Sequence, residues 1–254
     1  MRTEILYEDK SIMVIRKPAG LAVQSAGIGQ PDVVSELKSY LAKLPGAGRP
    51  GKGEPYLGIV HRLDQPVEGL LVFAKDKKAA AALSKQLTEG ALNKHYYAVL
   101  CGYPDCPEGD LVDYLRKEGN VAVAVTGREQ EFADAKIAVL HYRILEEIND
   151  PSPLALADVT IGTGRFHQIR VQFAHAGFPL LGDTKYGMAA LKEVMPAQKY
   201  RGVALCAYSL ELVHPVSGKK MGFRVVPKNP AFAGFAMEEL KKLTENETGI
   251  SKRG

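Results

Sequence analysis

The sequence predicts an α+β fold, a mixed and mainly antiparallel β-sheet flanked by helices. Short runs rich in β-branched and aromatic residues recur at 110–116, 121–125, 132–145 and 154–161, separated by Gly, Asn and Pro turns. Two apolar runs at 3–8 and 11–16 meet across Glu8-Asp9-Lys10 in the manner of a hairpin, and Lys17-Pro18-Ala19-Gly20 breaks the second. Between and after these runs lie segments whose apolar residues follow a helical period.

Taken in order, Asp32 to Leu44 has apolar residues at 33, 34, 37, 41 and 44, one helix face, and Pro45-Gly46 ends it. The glycine-rich stretch Gly46 to Gly53 contains a GxGxxG spacing and comes close to a phosphate loop. It follows a helix instead of a strand, however, and Gly53 stands where a magnesium-holding hydroxyl belongs. It is read as a surface loop, before a strand-like run from Tyr56 to Val60. Asp76 is placed to cap a helix running through Ala79, Ala80, Leu83 and Leu87 to Gly90. Lys94 to Leu100 is β-rich, and strand alternation sends Tyr96 and Tyr97 to opposite sides. A helix is expected from Arg165 to Ala176, entered through Gly162 to Gly164 and stopped by Gly177 and Pro179, with His167 and Arg170 on one face. Strands at 203–213 and 221–226 and a helix from Ala231 to Leu243 follow, and the polar end, 244–254, is expected to fray.

Charge decides little: the net charge is +4 and the pI about 8.8, just short of the range typical of nucleic-acid binders. No apolar run approaches a membrane span, and Met1-Arg2-Thr3-Glu4 leads into a short strand instead of a signal-peptide core, so a cytoplasmic protein is expected. Cys101, Cys106 and Cys206 have neither CxxC spacing nor an even count, and are read as reduced thiols. His167 and His175 are eight residues apart with no HExxH, so no metal site is expected.

Two stretches carry chemistry. In His61-Arg62-Leu63-Asp64-Gln65-Pro66, running into the apolar Val67 to Lys75, an acid sits beside a buried strand and needs a cationic partner to stay ionised. Taken alone, Asp64 could equally just shape the turn. The second stretch, Gly164-Arg165-Phe166-His167-Gln168-Ile169-Arg170, is followed by Pro179-Leu180-Leu181-Gly182-Asp183-Thr184-Lys185-Tyr186-Gly187. With Ile5 to Asp9, Asn93 to Val99 and His214-Pro215-Val216-Ser217-Gly218, these residues resemble the RluA-type pseudouridine synthases over roughly 4–227.

The resemblance implies one catalytic domain over 1–243 with a tail at 244–254. It implies an isomerase, needing no cofactor, that converts a specific uridine in structured RNA, rRNA or tRNA, to pseudouridine. That reaction breaks the N1–C1′ bond, turns the uracil and joins C5 to C1′. It asks for an anionic nucleophile or base, a group to take the C5 proton, and a pocket for a flipped uracil. Asp64 matches the first role, Tyr96 the second, and Arg170 is the cation that would pair with Asp64 and lower its pKa. His61, Arg62, Arg165, His167 and Gln168 are expected to bind substrate, Arg165 in a phosphate cradle with the backbone N–H groups of Gly162 and Gly164. A satisfied, buried structural role is the competing reading for His61, His167 and Gln168.

Little sequence precedes Ile5, so the N-terminal RNA-binding domain of many relatives is expected to be absent. A monomer would then grip RNA through a patch of Arg62, Arg165, Lys52 and Arg49. Gln65, Val67, Glu68, Phe166, Gln172 and Gly177-Phe178-Pro179 depart from the usual family pattern and bear on substrate preference. Two alternatives stand beside this reading. One is a catalytically silent RNA-binding protein on the same fold. The other is a glycosidic-bond hydrolase, which needs a second carboxylate that only Glu68 could provide.

Overall fold

The computed structural model describes residues 1–25, 27, 29–44, 54–126, 134–149, 152–187 and 202–237. The strands in chain order are β1 (Glu4–Glu8), β2 (Ile12–Lys17), β3 (Gly58–Ile59), β4 (Glu68–Ala74), β5 (Asn93–Cys101), β6 (Glu108–Glu118), β7 (Val121–Val125), β8 (Lys136–Ile148), β9 (Leu154–Ile161), β10 (Leu205–Val213) and β11 (Lys220–Arg224). The helices are α1 (Val33–Ala42), α2 (Lys77–Thr88) and α3 (Gln168–His175). The described chain is thus the expected mixed, mainly antiparallel α+β fold. It divides into two compact units, Met1–Lys94 with Ala207–Pro227 and His95–Cys206 with Lys228–Met237. None of the described helices is long and apolar enough to cross a membrane.

In the first unit the predicted hairpin forms, β1 antiparallel to β2. Its turn is tied by the Asp9 carboxylate, which accepts from the backbone N–H groups of Ser11 and Ile12 at 2.7 and 2.8 Å. The strand order is β1-β2-β4-β10, with β11 on β10 and β3 on β4. The strand expected over Tyr56 to Val60 is only two residues long. Every residue of β2 and of β4 is buried: the apolar stretches 12–15 and 70–74 run without alternation, and the charged Arg16, Lys17 and Glu68 are buried at their ends. Gly69 has to be glycine for two reasons. Its φ is +127°, and a Cβ there would lie 2.4 Å from the Ala207 carbonyl oxygen on β10. Asp32 caps α1 by accepting from Ser35 N, and Asp76 caps α2 by accepting from Ala79 N. Gly90, at φ +71°, turns the chain after α2, as its sequence position predicts.

In the second unit the strand order is β5-β9-β8-β6-β7. Helix α3 lies on one face of this sheet: Val171 joins Leu115, Ala122 and Ala138 in an apolar cluster, and the Phe173 ring meets Tyr142 edge-on at 5.6 Å. Two helical expectations are corrected. Helix α3 begins at Gln168, three residues later than expected, because His167 adopts left-handed φ +53° as its N-cap. At the other end, Pro230–Phe232 is a single 3-10 turn and 233–237 is turn and coil, where a helix from Ala231 was expected. Asn229 closes that turn by accepting from Ala231 N, and its amide donates to Val203 O, which fixes the segment as a short strut. The glycine-rich loop with Arg49 and Lys52, the region from 238 onward and the expected boundary at 243 lie outside the described residues.

Candidate active site

The residues singled out by sequence fall into two groups, one in each unit. In the first unit, Asp64 is half-buried at the start of a turn closed by the bond from Val67 N to Asp64 O at 3.1 Å. The turn is fastened from below. Gly20 N donates to Gln65 O at 2.8 Å, and the Gln65 amide returns a bond to Gly20 O. Lys17 completes the fastening: its side chain is wholly buried and its ammonium donates to the carbonyls of Pro18, Leu21 and Gln65. Three carbonyl partners and the nearby charges of Asp64 and Glu68 favour the ammonium, but burial outweighs them and lowers its pKa to about 7.

Lys17 was missed in the sequence, where Lys-Pro reads only as a strand breaker. Its titration has a testable sign. Between about 7 and the ordinary 10.5 the unfolded chain binds this proton and the folded chain releases it, so the residue makes stability rise with pH across that window. The expected result is that the unfolding free energy of wild type gains on that of Lys17→Met as pH is raised from 7 to 10 in urea melts. A gap independent of pH would show that the ammonium is not buried at a cost.

Around this turn, Arg62 is exposed and Leu63 is buried. His61 Nε2 accepts from Val72 N at 3.4 Å, while its Nδ1 is enclosed without a hydrogen-bond partner. Burial, helped by the charge of Lys94, pushes the imidazole down to about 3, so His61 is neutral at working pH. It can accept or donate a hydrogen bond, and it cannot neutralise a phosphate. Glu68 is 3 % exposed and ion-paired with Arg16 at 3.3 Å, and Arg16 also donates to Val226 O. Its carboxylate is committed within the core, which removes the second acid that glycosidic hydrolysis would require.

In the second unit, Arg170 and Asp183 form a buried two-point pair, Nε to Oδ2 at 2.7 Å and Nη2 to Oδ1 at 2.9 Å, with 4 % and 0 % exposure. Asp183 also accepts from the backbone N–H groups of Lys185 and Tyr186. A planar fork held at two points cannot swing, so the guanidinium is oriented before any substrate arrives. Tyr186 braces it further: the ring lies 5.1 Å from Arg170 Cζ, and the hydroxyl accepts from Ala122 N and shares a 2.6 Å bond with His167 Nδ1. Asp183 and Tyr186 were quoted in the sequence motif without a role. The signal was there, since an arginine on an apolar helix needs a carboxylate, and Asp183 follows the apolar Leu180-Leu181.

The other sequence candidates of this unit resolve differently. Gln168 is buried and its amide is used within the chain, accepting from Thr163 Oγ1 and Arg165 N and donating to Val139 O. The imagined cradle loses one donor, because Gly162 N donates to Val139 O at 2.9 Å. Arg165 Nε donates to Ile137 O, which fixes its stem beside β8.

Strand register separates the two tyrosines. Tyr96 pairs with Val159, and Val159 pairs with Tyr142, so the three form a row on one sheet face. Tyr142 touches Phe173 of α3, so Tyr96 belongs to the face that carries α3 and Arg170, and Tyr97 to the opposite face.

Comparison with known proteins places this arrangement. Residues 11–175 match the family described as RNA pseudouridylate synthase. The chain is 35 % identical over 227 residues to a ribosomal large subunit pseudouridine synthase D of Zymomonas mobilis, a match covering 87 % of this chain and 68 % of that one. It is 39 % identical over 226 residues to an uncharacterized RNA pseudouridine synthase of Synechocystis, covering 85 % and 63 %. The chain therefore spans about two thirds of these relatives. A solved structure, human RNA pseudouridylate synthase domain containing 4, superposes with a TM-score of 0.68 at 25 % identity, covering 94 % of this chain and 93 % of that one. A fold and motifs of this kind define an RNA-modifying isomerase. The chain belongs to the RNA pseudouridylate synthase family.

Proposed function

We propose that the chain isomerises uridine in structured ribosomal RNA, in the cytoplasm, with Asp64 as the reacting acid. The reading of rRNA rests on relatives named for the large ribosomal subunit. The observation that carries the site is the two-point lock of Arg170 by Asp183, a cation fixed in advance on the sheet face that also bears Tyr96. The family resemblance assigns this preset cation to the reacting acid, Asp64.

In this reading Asp64 supplies the anionic oxygen as the N1–C1′ bond breaks, and the uracil turns within the pocket. As C5 joins C1′, Tyr96 stacks on the ring and its oxygen receives or relays the C5 proton, and N1 ends protonated, so atoms balance with nothing added. Arg62 and Arg165 contact phosphates of the flipped nucleotide. His61 and His167 line the pocket as hydrogen-bonding groups.

Mapping pseudouridine across total RNA from cells with and without the protein tests the proposal. Loss of discrete sites in large-subunit rRNA is expected, and unchanged rRNA and tRNA maps would overturn it. Tyr96→Phe should keep RNA binding, because the ring still stacks, while lowering single-turnover product formation by about a hundredfold at a step after glycosidic cleavage. Tyr97→Phe should change the rate little. The opposite ranking would move the proton-handling role to the other sheet face.

A further inference from the structure

Phe166 is among the large apolar side chains of the described residues left exposed, at 39 %, on the turn entering α3. A lone exposed phenylalanine is ordinary. This one is unusual in how firmly it is held. Its ring stacks on the His167 imidazole with centroids 3.8 Å apart and planes 21° apart. His167 is fixed in turn by its left-handed backbone and by its bond to Tyr186, and Tyr186 by Ala122 N and by the Arg170 pair. The exposed ring is thus the outer end of a rigid column whose base is a buried ion pair.

The charges around it are cationic. Lys117 Nζ sits 4.9 Å from the Phe166 centroid, and Arg165 precedes it. Among the described residues neither cation is in an ion pair, whereas the neighbouring Arg116 is paired with Glu118. Lys117 shares its sheet face with Ala122, its pairing partner on β7, and so stands on the side of α3. A flat, immobilised π surface with two unpaired cations beside it matches a ligand that is both flat and anionic at close range. An apolar peptide would satisfy the ring and leave the cations unused.

We infer that Phe166 is a stacking platform for an unpaired base of the RNA, next to the reacting uridine, with Lys117 and Arg165 on the flanking phosphates. The inference rests on the proposed function and adds a determinant of RNA preference. On binding, the base takes the ring face that the exposed Lys117 ammonium now overlies, and the lysine moves to the phosphate. Base stacking on an aromatic side chain tolerates any base, so the platform selects unpaired structure over sequence.

The test compares oligouridylate with an abasic ribose-phosphate strand of equal length, by fluorescence anisotropy with the full chain. Phe166→Ala and Phe166→Leu should each weaken oligouridylate binding about tenfold and leave abasic binding unchanged, while Phe166→Trp binds like wild type. Lys117→Ala should lower the slope of log affinity against log salt by about one on both strands. Wild-type affinity in Phe166→Leu, or equal losses on both strands, would overturn the platform. Failure of the parent reading is separately visible, because a wild-type chain that forms no pseudouridine in rRNA loses that function whatever Phe166 does.

Discussion

Asp64→Asn is expected to abolish pseudouridine formation, by at least about a thousandfold, in a protein that still melts cooperatively. The substitution preserves shape and removes the charge, the nucleophilicity and the capacity to take a proton. The turn around it is also held by bonds that do not involve the side chain. The turn is closed by the Asp64 carbonyl oxygen, and it is fastened to residues 17–21 through Gln65 and Lys17. A secondary effect is expected, since the Asp64 charge helps Lys17 hold its proton. Without it the lysine should titrate lower still, so the melting temperature of Asp64→Asn should fall behind wild type on the acid side of pH 7 and draw level above it. Product formation and pH-resolved melts measure both parts. Turnover near the wild-type rate would remove Asp64 from the chemistry.

What the sequence made legible follows from what kind of interaction each feature uses. Asp9, Asp32, Asp76 and Gly90 act within a few residues of themselves, so the hairpin turn, both caps and the end of α2 could be read locally. The alternation of Tyr96 and Tyr97 was also local, but deciding which faces α3 required the register of β5, β9 and β8. Non-local partners were not readable. Lys17 looks like a strand-ending lysine, and only the fold brings the Gln65 carbonyl to it from 48 residues away. Gln168 looks like a substrate ligand because it lies in a motif, yet its motif position serves to tie Thr163, Arg165 and Val139 together. Helical periodicity overran the start of α3 because the pattern cannot register a single left-handed residue at His167.

Motif residues of this chain therefore divide by what they hold. Gly69 is fixed by the approach of β10, Gln168 by a loop, and Asp183 and Tyr186 by the arginine they orient. Each supports a neighbouring group.

That distinction can be measured at the Arg170 pair. Arg170→Met should cost about 3–5 kcal/mol of stability, the usual penalty for leaving one member of a buried ion pair without its partner, and should reduce activity by orders of magnitude. Both losses in one variant do not separate support from chemistry. A second substitution does: Asp183→Asn keeps an acceptor for the Lys185 and Tyr186 N–H groups while removing the stranded charge. In the double variant Arg170→Met/Asp183→Asn most of the stability should return, because a neutral amide beside a methionine leaves no buried charge, whereas pseudouridine formation should stay lost. Urea melts and single-turnover assays on the two single variants and the double complete the cycle. Recovery of activity together with stability would reduce Arg170 to a structural partner of Asp183. Recovery of stability alone is the expected outcome, and it assigns the Arg170 guanidinium to the reaction.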